Sequence, residues 1–81
     1  MKVRVLLFAR ARELAGRDAV EVEVPAAATV AELRRRIAQQ VPALANFVNR
    51  CGVAIGGEYS VDGNTVPEGA EVALIPPVSG G

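Results

Sequence analysis

Apolar residues recur along the chain at two spacings, and the changes from one to the other outline the elements. Val3, Val5 and Leu7 alternate with Lys2, Arg4 and Leu6, the period-two pattern of a strand with one face on a core. Leu6 and Phe8 fall on the opposite face, where a strand covered on one side carries polar residues, so that face is anomalous. After a polar stretch holding Gly16 and Asp18, Val20, Val22 and Val24 alternate with Glu21 and Glu23. This predicts a second strand with an acidic outer face, closed by Pro25.

Thr29-Val30-Ala31-Glu32 has the form of a capping box: Thr29 can accept from a free amide at a helix start while Glu32 reaches back to another. Val30, Leu33, Ile37 and Val41 then share one stripe at helical spacing, with Glu32, Arg35 and Gln39 facing away. Pro42 ends this amphipathic helix, because a residue before proline is pushed out of the helical region. Leu44, Phe47 and Val48 allow a short second helix between Pro42 and Arg50.

From Cys51 the period returns to two. Val53 and Ile55, the pair Gly56-Gly57, then Tyr59 and Val61 predict a hairpin, followed by a turn at Asp62-Gly63-Asn64. Val66-Pro67-Glu68-Gly69 suits a type I turn, and Glu71 to Ile75 forms a last strand with Val72 and Leu74 inward. The order strand, strand, helix, strand, strand predicts one α+β domain over 1–75. A right-handed crossover through the main helix sets the first and last strands side by side and parallel in a mixed sheet, which is the β-grasp or ubiquitin-like fold.

Composition narrows the function. A chain of 81 residues supports one small domain, which buries about 60% of its unfolded surface. Nine Lys/Arg balance nine Asp/Glu, so no basic field exists to neutralise phosphate backbones, and nucleic acid is not expected as a partner. The apolar run Val5 to Ala9 is too short for a membrane span or a secretory segment, and a cytoplasmic protein is expected. Cys51 is the single cysteine and there is no histidine, so an intrachain disulfide, a Cys-His nucleophile and the common zinc sites are not expected from this chain.

The end of the chain carries the candidate chemistry. In Pro76-Pro77-Val78-Ser79-Gly80-Gly81 consecutive prolines cannot donate ladder hydrogen bonds, so a tail over 76–81 is expected to leave the sheet extended. Glycine lacks a Cβ, and a backbone ending in two glycines passes through a channel that a bulkier residue would block. An ordinary disordered terminus is the bland alternative. A free carboxylate at Gly81 is a poor acyl donor until it is activated, for example by adenylation. A sulfur nucleophile then yields a thiocarboxylate, or an amine yields an amide.

Val5-Leu6-Leu7-Phe8-Ala9, Arg12-Glu13-Leu14 followed by Gly16, Thr29-Val30 with Leu33, and above all the Pro-Pro-Val-Ser-Gly-Gly ending resemble the small subunit of molybdopterin synthase, along the whole chain. The resemblance implies a ubiquitin-like sulfur carrier of molybdenum cofactor biosynthesis, not an enzyme by itself. Its Gly81 would be adenylated with ATP by a ubiquitin-activating-like adenylyltransferase and loaded from a sulfur donor system. The large synthase subunit would then receive the tail, and the sulfur would convert cyclic pyranopterin monophosphate to the dithiolene. A heterotetramer of two small and two large subunits is implied, with no stably bound cofactor and no metal. The alternatives are a sulfur carrier for thiamine thiazole or tRNA thiolation, and a ubiquitin-like protein modifier.

Phe8 and Ile75 should be neighbours if the first and last strands pair, and Tyr59 could extend their patch toward a partner. The resemblance places Phe8, Tyr59, Ile75 and the tail residues Pro76, Pro77, Val78 and Ser79 against both partner enzymes in turn, with Gly80 and Gly81 entering the active site. Arg12 and Glu13, read as loop residues after strand one, are further candidates, with a plain surface salt bridge equally open. Arg34-Arg35-Arg36 point three ways and are read as a solvated helix face. Cys51 is read as a structural thiol and Gly56-Gly57 as a turn.

Overall fold

At the centre of the sheet, β1 (Lys2–Leu7) and β5 (Val72–Ile75) run parallel, with Val5 opposite Val72 and Leu7 opposite Leu74. β2 (Ala19–Glu23) pairs antiparallel with β1, while β3 (Gly52–Ile55) joins β5 to β4 (Glu58–Ser60), giving the order β2-β1-β5-β3-β4. This is the mixed β-grasp sheet, seen in a computed structural model that describes residues 1–78.

One face of the sheet is covered by α2 (Val30–Gln40), whose Val30, Leu33 and Ile37 are fully buried against Val5, Val22, Val72 and Leu74. The helix starts where expected: Thr29 Oγ1 accepts from the Glu32 N–H at 3.2 Å. The second half of the capping box does not form. The Glu32 carboxylate instead accepts from Arg35 and from Arg36 Nε, the latter at 2.8 Å, because charged donors one turn on outcompete a backbone amide. Below α2 the core is closed by Leu44, Val48 and Val66, all aliphatic, with no buried polar side chain among the described residues.

Three local expectations are corrected. The polar stretch after β1 is a helix, α1 (Ala9–Ala15), in which only Ala11 is buried. Gly16 ends it in the left-handed region at φ 74°, donating its N–H to the Arg12 carbonyl. Ala11, Leu14 and Ala15 stand at helical spacing and pack on the core, but two turns are too short for that period to stand out in the sequence. The segment from Pro42 to Arg50 is two 3-10 turns, Pro42–Leu44 and Val48–Arg50, rather than one short helix. The turn before β5 closes from the Ala70 N–H to the Pro67 carbonyl, one residue later than expected, with Gly69 at φ 77° in its third position as a type II turn requires.

The hairpin is as expected. Gly56 and Gly57 have φ of 59° and 86°, the left-handed pair of a type I′ turn, and Ile55 stands opposite Glu58.

Arg34 is not part of a solvated face. Its Nη1 donates to the carbonyls of Val48 and Cys51, both at 2.7 Å, and its Nε donates to Asp62 at 2.9 Å. One guanidinium thus ties α2, the approach to β3 and the loop after β4 together. Arg35 stays exposed.

Candidate functional site

On the sheet face opposite α2, the β1–β2 end carries the charged pairs Lys2–Glu23 and Arg4–Glu21, and beside them the strand register assembles two apolar rows. The first row runs Ala19, Leu6, Ala73, Ala54 and Tyr59, each opposite the next across the sheet. In the second, Gly52 stands opposite Ile75. Phe8 follows Leu7 as Ile75 follows Leu74, so the parallel register continues to the Phe8 and Ile75 positions. Phe8 and Tyr59 are 46% and 72% exposed, so no loop or helix among the described residues covers them.

Backbone geometry keeps Phe8 on this face. It lies just beyond β1, rather than within it as expected, still extended at φ −127° and ψ 153°, and serves as the N-cap of α1. Ala9 then turns the chain sharply at φ 49°, a left-handed conformation that costs a non-glycine residue about 1 kcal/mol. The Phe8 carbonyl accepts from the Ala11 N–H at 3.1 Å, so α1 begins without displacing the ring.

Tyr59 is placed by what is missing beneath it. A Cβ on Gly52 would stand 2.6 Å from Tyr59 Cε1, so the ring lies over glycine backbone. Val61, beyond the end of β4, is also exposed, at 71%. Tyr59 was readable as a patch residue from its place in the hairpin. The contributions of Ala54, Ala73 and Gly52 were not, because small residues on an open face and small residues in a core look alike in sequence.

The chain leaves this patch at Ile75. Ile75 and Pro76 are half-buried, Pro77 and Val78 are exposed, and strand pairing ends at Ile75 as the prolines require. Ser79, Gly80 and Gly81 lie outside the described residues.

Arg12 and Glu13 belong to α1, not to a loop, and both are exposed. Glu13 accepts from Arg10 at 3.2 Å, and Arg12 lies 3.7 Å from Asp18. Pairs this exposed contribute about 0 to 1 kcal/mol each to the fold. Cys51 is buried, and burial pushes its thiol pKa up, with the nearby Arg34 charge opposing only in part. A thiol held protonated in this way is a poor nucleophile, in keeping with a structural role. Among the described residues no group of three or more Cys, Asp or Glu side chains is placed to hold a metal ion, and no helix is long and apolar enough to cross a membrane.

Comparisons with known proteins place this geometry. The ThiS family model matches residues 5–81. The molybdopterin synthase sulfur carrier subunit of Arabidopsis thaliana is 35% identical, covering 100% of this chain and 84% of that protein. The subunit of the same name in Escherichia coli strain K12 is 38% identical, covering 98% of this chain and 99% of that one. Among solved structures, small archaeal modifier protein 1 of Haloferax volcanii superposes with a TM-score of 0.87 at 34% identity, and each chain covers 100% of the other. The family match from β1 to the last glycine and the shared β-grasp sheet agree: the chain belongs to the ThiS family, alongside the molybdopterin synthase sulfur carrier subunits.

Proposed function

We propose that this chain is the sulfur carrier subunit of a molybdopterin synthase, with the carboxylate of Gly81 as the atom group that is loaded. The observation that supports it most is continuity. The apolar rows of the open sheet face end at Phe8 and Ile75, and from that end Pro76-Pro77-Val78 lead toward the two glycines. A partner that covers the face therefore meets the tail at a fixed origin.

In this reading the chain brings no acid, base or cofactor of its own. A ubiquitin-activating-like adenylyltransferase directs the Gly81 carboxylate onto the α-phosphate of ATP, and pyrophosphate leaves. A sulfur nucleophile from a donor system then displaces AMP, and the thiocarboxylate results. The large synthase subunit takes the loaded tail, and sulfur passes to cyclic pyranopterin monophosphate. The same face, centred on Phe8, Tyr59 and Ile75 and extended by Pro76, Pro77, Val78 and Ser79, docks on both partners in turn, with Arg12 and Glu13 at its rim. Gly80 and Gly81 are the residues thin enough to reach the reacting centre. The setting is the cytoplasm, and the working assembly is a heterotetramer of two small and two large subunits.

The test is to pair Phe8→Arg and Tyr59→Arg variants with the large subunit. Each should bind at least tenfold more weakly and donate sulfur in proportion, with circular dichroism unchanged, since both side chains are largely outside the core. Unchanged binding by both variants contradicts the docking face.

A second reading has one observation in its favour, the 34% identity with small archaeal modifier protein 1. A protein modifier uses the same activated Gly81 but ends in amide bonds to lysines. Anti-chain blots of cell extract distinguish it: conjugate ladders that vanish on deleting Gly81 favour the modifier.

A further inference from the structure

The outer edge of β2 is free over a short stretch, and that stretch adjoins the open apolar face. The ladder from β2 to β1 is closed at one end by Met1 and Val24, which exchange bonds of 2.6 and 2.9 Å, and at the other by the Leu7 N–H donating to the Asp18 carbonyl. Antiparallel alternation then turns the backbone groups of Ala19, Glu21 and Glu23 away from β1. At Glu23 those groups are occupied: the side-chain amide of Gln40 accepts from its N–H at 2.9 Å and donates to its carbonyl at 2.8 Å. At Glu21 no such partner is present among the described residues.

A concavity of about 400 Å³ lies beside this free stretch, lined by Arg4, Arg17, Ala19, Val20 and Glu21. Arg10, Arg12, Arg34, Arg35 and Arg36 all have ion-pair partners, whereas Arg4, Arg17 and Arg50 have none among the described residues, and of these three only Arg4 and Arg17 line the concavity. Asp18, next to Arg17 in sequence, pairs with Arg12 instead. Two guanidinium groups against the single Glu21 carboxylate leave the concavity net positive. The concavity is also continuous with the apolar patch, since Ala19 stands opposite Leu6 in the first row.

We propose that the β2 edge at Glu21 takes up an extended acidic segment of the protein docked on the open face, its carboxylate set between Arg4 and Arg17. A strand added there finds an outward N–H and C=O to pair with, and the planar forks of two arginines suit a carboxylate. Gln40 ends the available edge at Glu23, so only about three residues can pair. A second copy of β2 is disfavoured as the occupant, because a symmetric pairing about Glu21 sets two carboxylates against each other. The inference rests on the docking reading above.

The test uses the full chain with the large subunit of molybdopterin synthase. Arg4→Gln with Arg17→Gln should raise Kd at least tenfold in calorimetry and reduce its salt dependence, with the melting temperature nearly unchanged because both residues are unpaired. Amide exchange of Glu21 in the wild-type complex should slow at least tenfold relative to the free chain, and the double variant should lose most of that slowing. A Kd within twofold of wild type, or an unslowed Glu21 amide, overturns the inference. If Phe8→Arg still weakens binding in that case, the docking face survives without it. Wild-type chain that does not bind the large subunit overturns both.

Discussion

The ring of Tyr59 occupies the space above Gly52 that any other residue would fill, with an added Cβ only 2.6 Å from Cε1. Gly52 in turn stands opposite Ile75, the last strand residue before the prolines. Glycine at this point therefore lets an aromatic ring lie over β3 beside the origin of the tail.

Gly52→Ala should push the ring aside rather than unfold the protein, because the obstruction is an exposed side chain and not backbone. Tyr59 is the single tyrosine and there is no tryptophan, so intrinsic fluorescence reads this ring alone. The expected outcome is altered tyrosine emission and several-fold weaker partner binding, with a melting temperature within a few degrees of wild type.

The core and the open face should respond oppositely to truncation. Leu33 is fully buried under the sheet, and Leu33→Ala should cost about 3 kcal/mol, lowering the melting temperature by roughly 15 °C in a domain of this size. Val78, 94% exposed, should tolerate alanine with no change in stability. Thermal melts of the two variants check both statements.

Arg34 should behave as a structural residue despite its charge. Arg34→Met leaves the carbonyls of Val48 and Cys51 without their donor and Asp62 without its partner. The expected loss is about 2 kcal/mol, measured by urea unfolding.

Much of this architecture was legible because its signals are periodic. The alternation of Val3, Val5 and Leu7, the stripe Val30, Leu33 and Ile37, and the Gly56-Gly57 turn each specify an element through local chemistry, and β1 and β5 pair as the crossover rule requires. What escaped was set by tertiary contacts. The spacing of Ala11, Leu14 and Ala15 is too short to mark α1, whose start depends on a left-handed Ala9, and nothing in three consecutive arginines shows that the first reaches two carbonyls across the fold. At the site, Phe8, Tyr59 and Ile75 stood out as apolar residues on the uncovered face. Gly52 depends on its register with the distant Ile75, and the Arg4–Arg17 concavity on where α1 returns the chain to β2.

Acid should weaken the fold partly through Glu32. Hydrogen bonds from Arg36 and Arg35 lower its carboxyl pKa below the ordinary 4.5. A folded-state pKa below the unfolded one contributes stability that is fully present above pH 4.5 and is lost as pH falls through the lower, folded value. Glu32→Gln should therefore flatten this part of the acid limb in unfolding free energies measured below pH 4.5, and should leave the pH dependence near neutrality unchanged.

Backbone strain at Ala27 should be relieved by glycine. Ala27 sits exposed at φ 62°, and Ala27→Gly should stabilise the protein by about 0.5 kcal/mol, the strain released exceeding the added entropy of the unfolded chain. Chemical denaturation of the pair measures it.

The most direct test of the proposed function is the intact mass of the protein after incubation with ATP, a sulfur donor and its cognate adenylating enzyme, beside a Gly81-deleted control. The expected result is a gain equal to exchange of one oxygen for one sulfur, absent from the control. An unchanged mass, with the adenylating enzyme shown to be active in the same mixture, would contradict it.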